Sequence, residues 1–322
     1  MKTPLFVQRH HEDHDAVRAE LLQGLRAPQA HTSPKYLYDA LGSRLFEAIT
    51  ELPEYYPTRT EAAIFSAHGA AMAACAPSGA TLIDLGAGNC AKAARLFGLL
   101  APRRYVAVDI SVEFLRGALS NLQHQYPQLD MVGLGLDFSA GLTLPPETGA
   151  PGDGQRVLFY PGSSIGNFTP DEALAFLRSV RGACGPVAGS GLLIGVDLVK
   201  AKAELEAAYD DALGVTAAFN RNLLPHINRL AGTDFALADW RHVALYDDVL
   251  ARIEMHLQAV RPATVRWPGG KRAFAAGERI HTENSYKWTL PRFAQLLQDA
   301  GFASHRHWTD DDARFAVFWA AC

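Results

Sequence analysis

The segment Thr81–Phe97, TLIDLGAGNCAKAARLF, decides the fold. Its first half is mostly apolar, as in a buried strand, and a helical spacing of apolar residues follows Gly88. Glycine at such a junction lets a ligand approach the backbone, and the start of the helix offers free N–H groups. Gly86, Gly88 and Ala91 also satisfy the loose dinucleotide-binding pattern. The segment therefore predicts a strand, a glycine turn and a helix beneath a nucleotide-like ligand.

Four further apolar runs continue the alternation of strands and helices. They are RYVAVDIS (Arg104–Ser111), LDMVGLGLDFS (Leu129–Ser139), the start of RVLFYPGSSIGNF (Arg156–Phe168) and SGLLIGVDLV (Ser190–Val199). Short apolar runs separated by helices are typical of a parallel sheet that is covered on both faces. The predicted fold class is therefore α/β with a Rossmann-like sheet.

The alternation stops after Val199. Residues 202–230 have a helical pattern, and residues 251–285 alternate apolar and polar side chains around Pro268-Gly269-Gly270, which predicts antiparallel strands joined by a turn. A helix at 290–300 and a final strand pair follow. We predict one domain of residues 57–200 and 287–322, and a smaller α+β lobe of residues 1–56 and 201–286.

The segment before the first predicted strand has three distinct parts. The first thirty residues are polar, and HHEDH at 10–14 is interpreted as a solvated chain end rather than a metal site. A helical pattern follows, interrupted at Pro53–Pro57 (PEYYP), where two prolines predict a rigid elbow. A helix is then predicted near residues 61–76.

Composition excludes several kinds of partner. The net charge of -4 provides no basic field for nucleic acid. No apolar run is long enough to span a bilayer, and the first residues lack a signal-peptide pattern. The four cysteines have no metal-ligand spacing, and so few cysteines indicate a reducing compartment. We expect a cytoplasmic monomer that needs no metal.

Acidic residues end three successive predicted strands. Asp84 precedes the first glycine, where a carboxylate would repel a pyrophosphate but suits a ligand that carries an ammonium. Asp109 ends the second strand, at the position that holds ribose hydroxyls. Asp137 and Phe138 end the third strand, where an adenine would lie. These residues favour S-adenosylmethionine over a nicotinamide dinucleotide as the cofactor.

Longer motifs resemble a known family. The segments LYDALGSRLFEAITELPEYYPTRTEAAIF, GSSIGNFTPDEALAFL, AYDDALGVTAAFNRN, RIEMHL and TENSYKW are similar to the L-histidine Nα-methyltransferases of ergothioneine biosynthesis, from about Lys35 to the last residue. The resemblance implies a class I S-adenosylmethionine-dependent methyltransferase domain with a substrate-binding lobe. It also implies trimethylation of free L-histidine to hercynine.

The resemblance assigns roles to individual residues. It implies that the cofactor site, beside Gly88 of the glycine turn, is lined by Gly86, Lys92, Asp109, Asp137 and Phe138. At the substrate it implies Asn167 and Tyr209 for the α-carboxylate, Glu283 and Ser285 for the imidazole, and Tyr55, Phe219 and Met255 around the ring. Tyr38 lies near the amine and, directly or through a water, is the candidate proton acceptor.

The chemistry of the residues agrees with a histidine site. Glu283 and Ser285 are two residues apart on a predicted strand, so they point to the same face and can together serve both ring nitrogens. Asn284, Ser164 and Pro161 depart from the family pattern. Three alternatives remain: an N-methyltransferase for another amino acid or amine, a non-catalytic subunit that binds S-adenosylmethionine, and a nicotinamide dehydrogenase.

Overall fold

The computed structural model describes residues 1–9, 13–138, 141–150 and 152–322. The first three residues of the predicted HHEDH run therefore lie outside the described residues. The chain divides into two compact units. Unit 1 comprises Met1–His11, Pro57–Val199 and Lys287–Cys322, and unit 2 comprises Glu12–Tyr56 and Lys200–Tyr286.

Helices and strands are numbered in chain order. The strands are β1 (Leu5–Gln8), β2 (Thr81–Leu85), β3 (Arg104–Asp109), β4 (Asp130–Gly135), β5 (Arg156–Tyr160), β6 (Gly191–Asp197), β7 (Trp240–Asp247), β8 (Arg252–Ala259), β9 (Ala263–Trp267), β10 (Gly270–Phe274), β11 (Arg279–Tyr286), β12 (Ser304–Thr309) and β13 (Phe315–Ala321). The α-helices are α1 (His14–Arg26), α2 (Ala40–Thr50), α3 (Tyr56–Ala73), α4 (Ala91–Ala94), α5 (Phe97–Leu100), α6 (Val112–Gln125), α7 (Pro170–Cys184), α8 (Lys202–Ala207), α9 (Val215–Ala231) and α10 (Leu290–Asp299).

Unit 1 contains an eight-stranded sheet with the order β1-β4-β3-β2-β5-β6-β13-β12. Strands β1 to β6 are parallel, whereas β13 is antiparallel to β6 and β12 is antiparallel to β13. Every residue of β2, β5 and β6 is buried, which requires cover on both faces of the sheet. The predicted Rossmann-like α/β fold is confirmed. The chain moves outward in one direction from β2 and in the other from β5, so the topological switch point lies between these two strands.

The N-terminal segment differs from the prediction. Residues 1–56 are predicted to belong to the second lobe, but Leu5–Gln8 pairs with β4 inside unit 1. Asp13 and His14 of the HHEDH run are exposed, and helix α1 (His14–Arg26) begins at the last residue of that run. Gly133 of β4 makes room for this strand, because a Cβ there would lie 2.5 Å from the Phe6 ring. Asp13 accepts hydrogen bonds from two backbone N–H groups of α1 as its N-cap.

Two helix predictions are also corrected. The helix expected at 61–76 begins at Tyr56, because Pro57 occupies the first turn, where a missing N–H costs no hydrogen bond. The helix expected from residue 89 is instead the two short helices α4 and α5. Cys90 has a left-handed backbone with φ of 62°, so α4 begins only after it.

Unit 2 contains a three-stranded antiparallel sheet with the order β11-β8-β7. The predicted turn at residues 268–270 is confirmed, since it joins β9 and β10, and Gly269 takes the φ of 88° that this turn needs. Phe219, Leu223 and Ile227 recur every four residues on α9 and share one buried cluster with Ile253 and Met255 of β8. The core of unit 2 therefore lies between α9 and one face of this sheet.

No helix in the described ranges is long and apolar enough to cross a membrane. In the same ranges, no group of three or more His, Cys, Asp or Glu side chains is arranged to hold a metal ion.

Candidate active site

The glycine turn of unit 1 leaves open space above its backbone. Gly86 and Gly88 have φ of 72° and 52°, and a Cβ built on either meets no atom within 4 Å. The N–H groups of Gly86 and Ala87 both donate to the Val108 carbonyl, at 2.9 and 3.0 Å, which fixes the turn to β3. The turn is thus rigid on its inner side and can receive a ligand on its outer side.

Asp109 is held next to this turn. Its Oδ2 accepts from the Gly88 N–H at 2.9 Å, and its Oδ1 accepts from the Ser111 N–H at 2.8 Å. Burial raises the pKa of Asp109, while these backbone hydrogen bonds favour the charged form and oppose that rise. Each carboxylate oxygen keeps a second lone pair, so Asp109 can also accept hydrogen bonds from two adjacent ligand hydroxyls. The structure therefore brings together the predicted residues Gly88 and Asp109.

Asp84 is a buried carboxylate beneath the turn. The Tyr105 hydroxyl donates to Asp84 Oδ2 at 2.7 Å, whereas Oδ1 accepts no hydrogen bond from any residue that the structure describes. Burial raises the pKa of Asp84 to about 7; the Tyr105 hydrogen bond opposes this rise, and the charges of Asp109 and Glu61 add to it. A cation bound nearby would favour the ionised form of Asp84.

The charges around the turn fit a cationic ligand. Lys92 Nζ forms an ion pair with Glu61 Oε2 at 2.8 Å, and both groups influence Asp84 electrostatically. The carboxylates of Glu61, Asp84 and Asp109 thus outnumber the single ammonium of Lys92. A ligand with a sulfonium, an ammonium and one carboxylate has a net positive charge and suits this set, whereas a pyrophosphate would be repelled.

Asp137 and Phe138 follow β4, at the same end of the sheet as Asp109. Asp109 is opposite Gly135 in the β3–β4 register, so Asp137 lies just beyond the Asp109 position. The Phe138 ring is half-buried and packs edge-on against Tyr160, with ring centres 6.0 Å apart. Their roles at an adenine remain predictions.

In unit 2, a β-bulge places Glu283 and Ser285 on the core face of the sheet. Ile280 is opposite Leu257, but after a register shift between residues 281 and 283, Glu283 is opposite Met255 and Ser285 is opposite Ile253. Residues directly opposite each other in an antiparallel pair share a face. Glu283 and Ser285 therefore lie on one face, as predicted, and it is the face that carries the buried Met255.

Tyr209 is fixed at both of its ends. Its hydroxyl is 2.7 Å from Ser285 Oγ, and its backbone carbonyl is 2.8 Å from His242 Nε2. Asn220 Nδ2 donates to the His256 carbonyl and lies 2.9 Å from His242 Nδ1, so Nδ1 must accept and Nε2 must carry the proton. Burial lowers the pKa of His242, which agrees with this neutral form.

A chain of aromatic rings joins Tyr38, the predicted proton acceptor, to three predicted substrate residues. The ring centres of Tyr38 and Phe219 are 5.5 Å apart, and those of Tyr55 and Tyr209 are 6.2 Å apart. Phe46 connects the two pairs, at 5.6 Å from Tyr38 and 6.2 Å from Tyr55. Such packed rings present π-faces on which a quaternary ammonium could be stabilised.

The predicted site residues fall into two groups. Unit 1 holds Gly86, Gly88, Lys92, Asp109, Asp137, Phe138 and Asn167, and unit 2 holds Tyr38, Tyr55, Tyr209, Phe219, Met255, Glu283 and Ser285. Asn167 ends a 3₁₀ turn, Ser164–Asn167, that follows β5, and its contact with a substrate carboxylate stays a prediction.

Several supporting residues were not predicted from the sequence. Glu61 lies within the family motif LPEYYPTRTE, and Asn220 is next to Phe219. The sequence does not indicate that Glu61 contacts Gly162 or that Asn220 contacts His242. Phe46 is recognisable only as an apolar helix residue, and His242 has no local signal at all.

A known protein family matches almost the whole chain. The sequence model of the histidine-specific, S-adenosylmethionine-dependent methyltransferases matches residues 17–322. The chain belongs to this family.

Individual relatives agree with the assignment. The chain is 38% identical over 309 residues to histidine N-alpha-methyltransferase of Mycolicibacterium smegmatis, covering 94% of both chains. It is 38% identical over 314 residues to histidine N-alpha-methyltransferase of Mycobacterium tuberculosis, covering 96% of this chain and 95% of that protein. It is also 32% identical over 283 residues to ergothioneine biosynthesis protein 1 of Neurospora crassa, covering 85% of this chain and 31% of that protein.

This histidine-specific family member is an S-adenosylmethionine-dependent methyltransferase with a Rossmann-like class I domain. The cofactor predicted from the three strand-end acids is confirmed, and the nicotinamide alternative is excluded. The open glycine turn and the excess of carboxylates around it fit S-adenosylmethionine, which carries no phosphate.

Proposed function

We propose that this protein transfers methyl groups to the α-amine of free L-histidine. Three transfers would give hercynine in the first step of ergothioneine biosynthesis. The family match and the extensive identity to the two mycobacterial relatives support the proposal. The observation that carries it is the placement of Glu283 and Ser285 on one buried face beside Met255.

The paired Glu283 and Ser285 suit an imidazole. A neutral imidazole has one N–H donor and one bare nitrogen acceptor. Glu283 can accept from the first, and the Ser285 hydroxyl can donate to the second. Both residues are buried, so a phenyl ring of similar size would leave these polar groups without the hydrogen bonds that an imidazole supplies.

Tyr209 would bind the α-carboxylate. Each hydroxyl has a single proton, and Ser285 donates its own to the ring, so the Tyr209 hydroxyl can donate to a carboxylate oxygen once substrate binding opens its 2.7 Å contact with Ser285 Oγ. The His242 contact with the Tyr209 carbonyl fixes the residue. The Tyr209 hydroxyl, assigned to the carboxylate, lies next to the Ser285 hydroxyl, assigned to the imidazole. The two ends of histidine would therefore be bound close together. We also assign Asn167 to the carboxylate, on the basis of the family resemblance.

The chain contributes alignment and proton transfer. S-adenosylmethionine, when bound, would supply an electrophilic methyl carbon, and its sulfonium sulfur would depart as a neutral thioether. The amine must be neutral to react, so the substrate ammonium first loses a proton, either to Tyr38 as its phenolate or to a water that Tyr38 positions. Edge contacts with Phe46 and Phe219 hold the Tyr38 ring in place. Fixing both ends of the substrate would supply most of the rate acceleration by orientation.

The rival proposal is a related N-methyltransferase that acts on another amino acid or amine. Its site would not need a carboxylate and a hydroxyl arranged for two ring nitrogens, and this chain has both. We further propose that the enzyme acts as a cytoplasmic monomer. Its net charge of -4 supports the absence of a nucleic-acid partner.

Mass spectrometry of reaction mixtures tests this function. The protein is incubated with S-adenosylmethionine and, separately, free L-histidine, L-phenylalanine, L-tyrosine, histamine and a peptide with an internal histidine. We expect three added methyl groups on free histidine alone, because histamine and the peptide lack the free α-carboxylate. Methylation of an aromatic amino acid with histidine unchanged would establish the rival, and methylation of the peptide would remove the carboxylate requirement.

A further inference from the structure

Glu61 is a buried carboxylate with two partners in unit 1. The residue lies on α3, and its side chain is 2% exposed. Its Oε2 accepts from Lys92 Nζ at 2.8 Å, and its Oε1 accepts from the Gly162 N–H at 2.7 Å. Both oxygens are therefore engaged, one by a side chain and one by the backbone.

These partners lie in the two chain segments that follow β2 and β5, on either side of the topological switch point. Lys92 is in α4, which follows the glycine turn after β2, and Gly162 is two residues beyond the end of β5. Strands β2 and β5 are neighbours in the sheet. Ligands of open α/β sheets bind in the crevice outside the carboxyl ends of strands at this point. Glu61 thus ties together both sides of the cofactor crevice.

Two glycines make room for this arrangement. Gly162 has φ of 76°, and a Cβ built on it would lie 2.8 Å from Lys92 Nζ. A Cβ on Gly195 of β6 would clash with Glu61 Oε1. The Lys92 ammonium therefore lies directly against the backbone of the loop after β5.

The Lys92 side chain is partly exposed, at 34%. Its ammonium has three N–H donors, one of which goes to Glu61. The ammonium therefore has the donors to bind a second carboxylate. The carboxylate of S-adenosylmethionine lies at the end of its amino-acid tail, and the adenosine end carries no acidic group.

We propose that Glu61 is a positioning residue for the amino-acid tail of the cofactor. It holds the Lys92 ammonium over Gly162, where that ammonium binds the tail carboxylate. This inference rests on the proposed function only in that S-adenosylmethionine is the methyl donor. It predicts that losing Glu61 weakens the recognition of one end of the cofactor and leaves the recognition of the other end intact.

Two ligands that differ only by the tail test the proposal. S-adenosylhomocysteine has the tail, whereas 5′-methylthioadenosine keeps the adenosine and the sulfur but lacks the tail. In Glu61→Gln, the amide can still accept the Gly162 N–H, but it no longer supplies a charge to Lys92. By calorimetry we expect the Kd of S-adenosylhomocysteine to rise about tenfold or more, and that of 5′-methylthioadenosine to change less than about twofold.

A double-mutant cycle separates positioning from a purely structural role. Lys92→Met should give the same ligand pattern, and Glu61→Gln combined with Lys92→Met should bind S-adenosylhomocysteine no more weakly than Lys92→Met alone. If Glu61→Gln does not fold, Glu61→Asp serves in its place, because it keeps the charge and shortens the side chain; it should weaken only the ligand that has the tail. The melting temperature without ligand is measured for every variant.

The outcomes are distinguishable. Equal losses for both ligands, or a lower melting temperature with an unchanged ratio of the two Kd values, would overturn the positioning role. If the unmodified protein bound neither ligand, the cofactor assignment itself would fail, and this inference would fail with it. Binding by the unmodified protein with the same ratio in Glu61→Gln would remove this inference alone.

Discussion

Replacing Glu283 with alanine should raise the Kd of L-histidine about 100-fold, while the Kd of S-adenosylmethionine changes less than about twofold. The substitution removes a hydrogen-bond acceptor from a buried position on β11, so the imidazole N–H loses its partner. Cofactor affinity should be retained because the cofactor residues lie in unit 1, whereas Glu283 lies in unit 2. Calorimetry with each ligand measures both constants.

Two variants control this experiment. Glu278→Ala removes an acid from the turn before the same strand, where it pairs with Arg272, and should leave histidine affinity unchanged. Glu283→Gln keeps a neutral acceptor and should give an intermediate loss. Equal weakening of both ligands in Glu283→Ala would show that the residue supports the fold rather than the imidazole.

Asp109→Ala should produce the opposite pattern, with the Kd of S-adenosylmethionine raised about 100-fold. The change removes the acceptors expected for two ribose hydroxyls. It also releases the N–H groups of Gly88 and Ser111, so the glycine turn loses one of its anchors. Titration of the cofactor followed by fluorescence or calorimetry measures the loss.

Asp130→Ala is the matched control for Asp109. Asp130 is the first residue of β4, the strand beside β3. It pairs with Arg104 at the amino ends of these strands, whereas Asp109 lies at the carboxyl end of β3. Its loss should reduce stability slightly without changing cofactor affinity. Full cofactor affinity in Asp109→Ala would exclude this residue from the ribose site.

The sequence predicts the central strands of unit 1 well, because their apolar runs are continuous and separated by helices. It does not predict β1, which has only three consecutive apolar residues in a polar segment. That strand depends on a distant glycine, Gly133, whose missing side chain leaves space for Phe6. Such a complementarity between remote positions has no local pattern.

The face of the sheet on which Glu283 lies could not be predicted from the sequence. Simple alternation from the buried Ile280 would place Thr282 and Asn284 on the core face and Glu283 on the other. The bulge after His281 reverses this order. Spacing alone predicts that Glu283 and Ser285 share a face, but the identity of that face depends on strand pairing.

The supporting contacts were also beyond prediction, because they join residues far apart in the chain. Glu61 reaches Gly162, and His242 reaches Tyr209, across different elements. Periodicity and motif spacing describe neighbours in sequence, so they indicate which residues bind a ligand better than which residues hold them in place.

The most direct test of the central claim is a crystal structure of the protein with L-histidine and S-adenosylhomocysteine bound. We predict that one imidazole nitrogen lies within hydrogen-bond distance of the Glu283 carboxylate and the other within reach of the Ser285 hydroxyl, with the α-carboxylate at Tyr209. A histidine bound with its ring away from Glu283 and Ser285 would contradict the proposed recognition of the substrate.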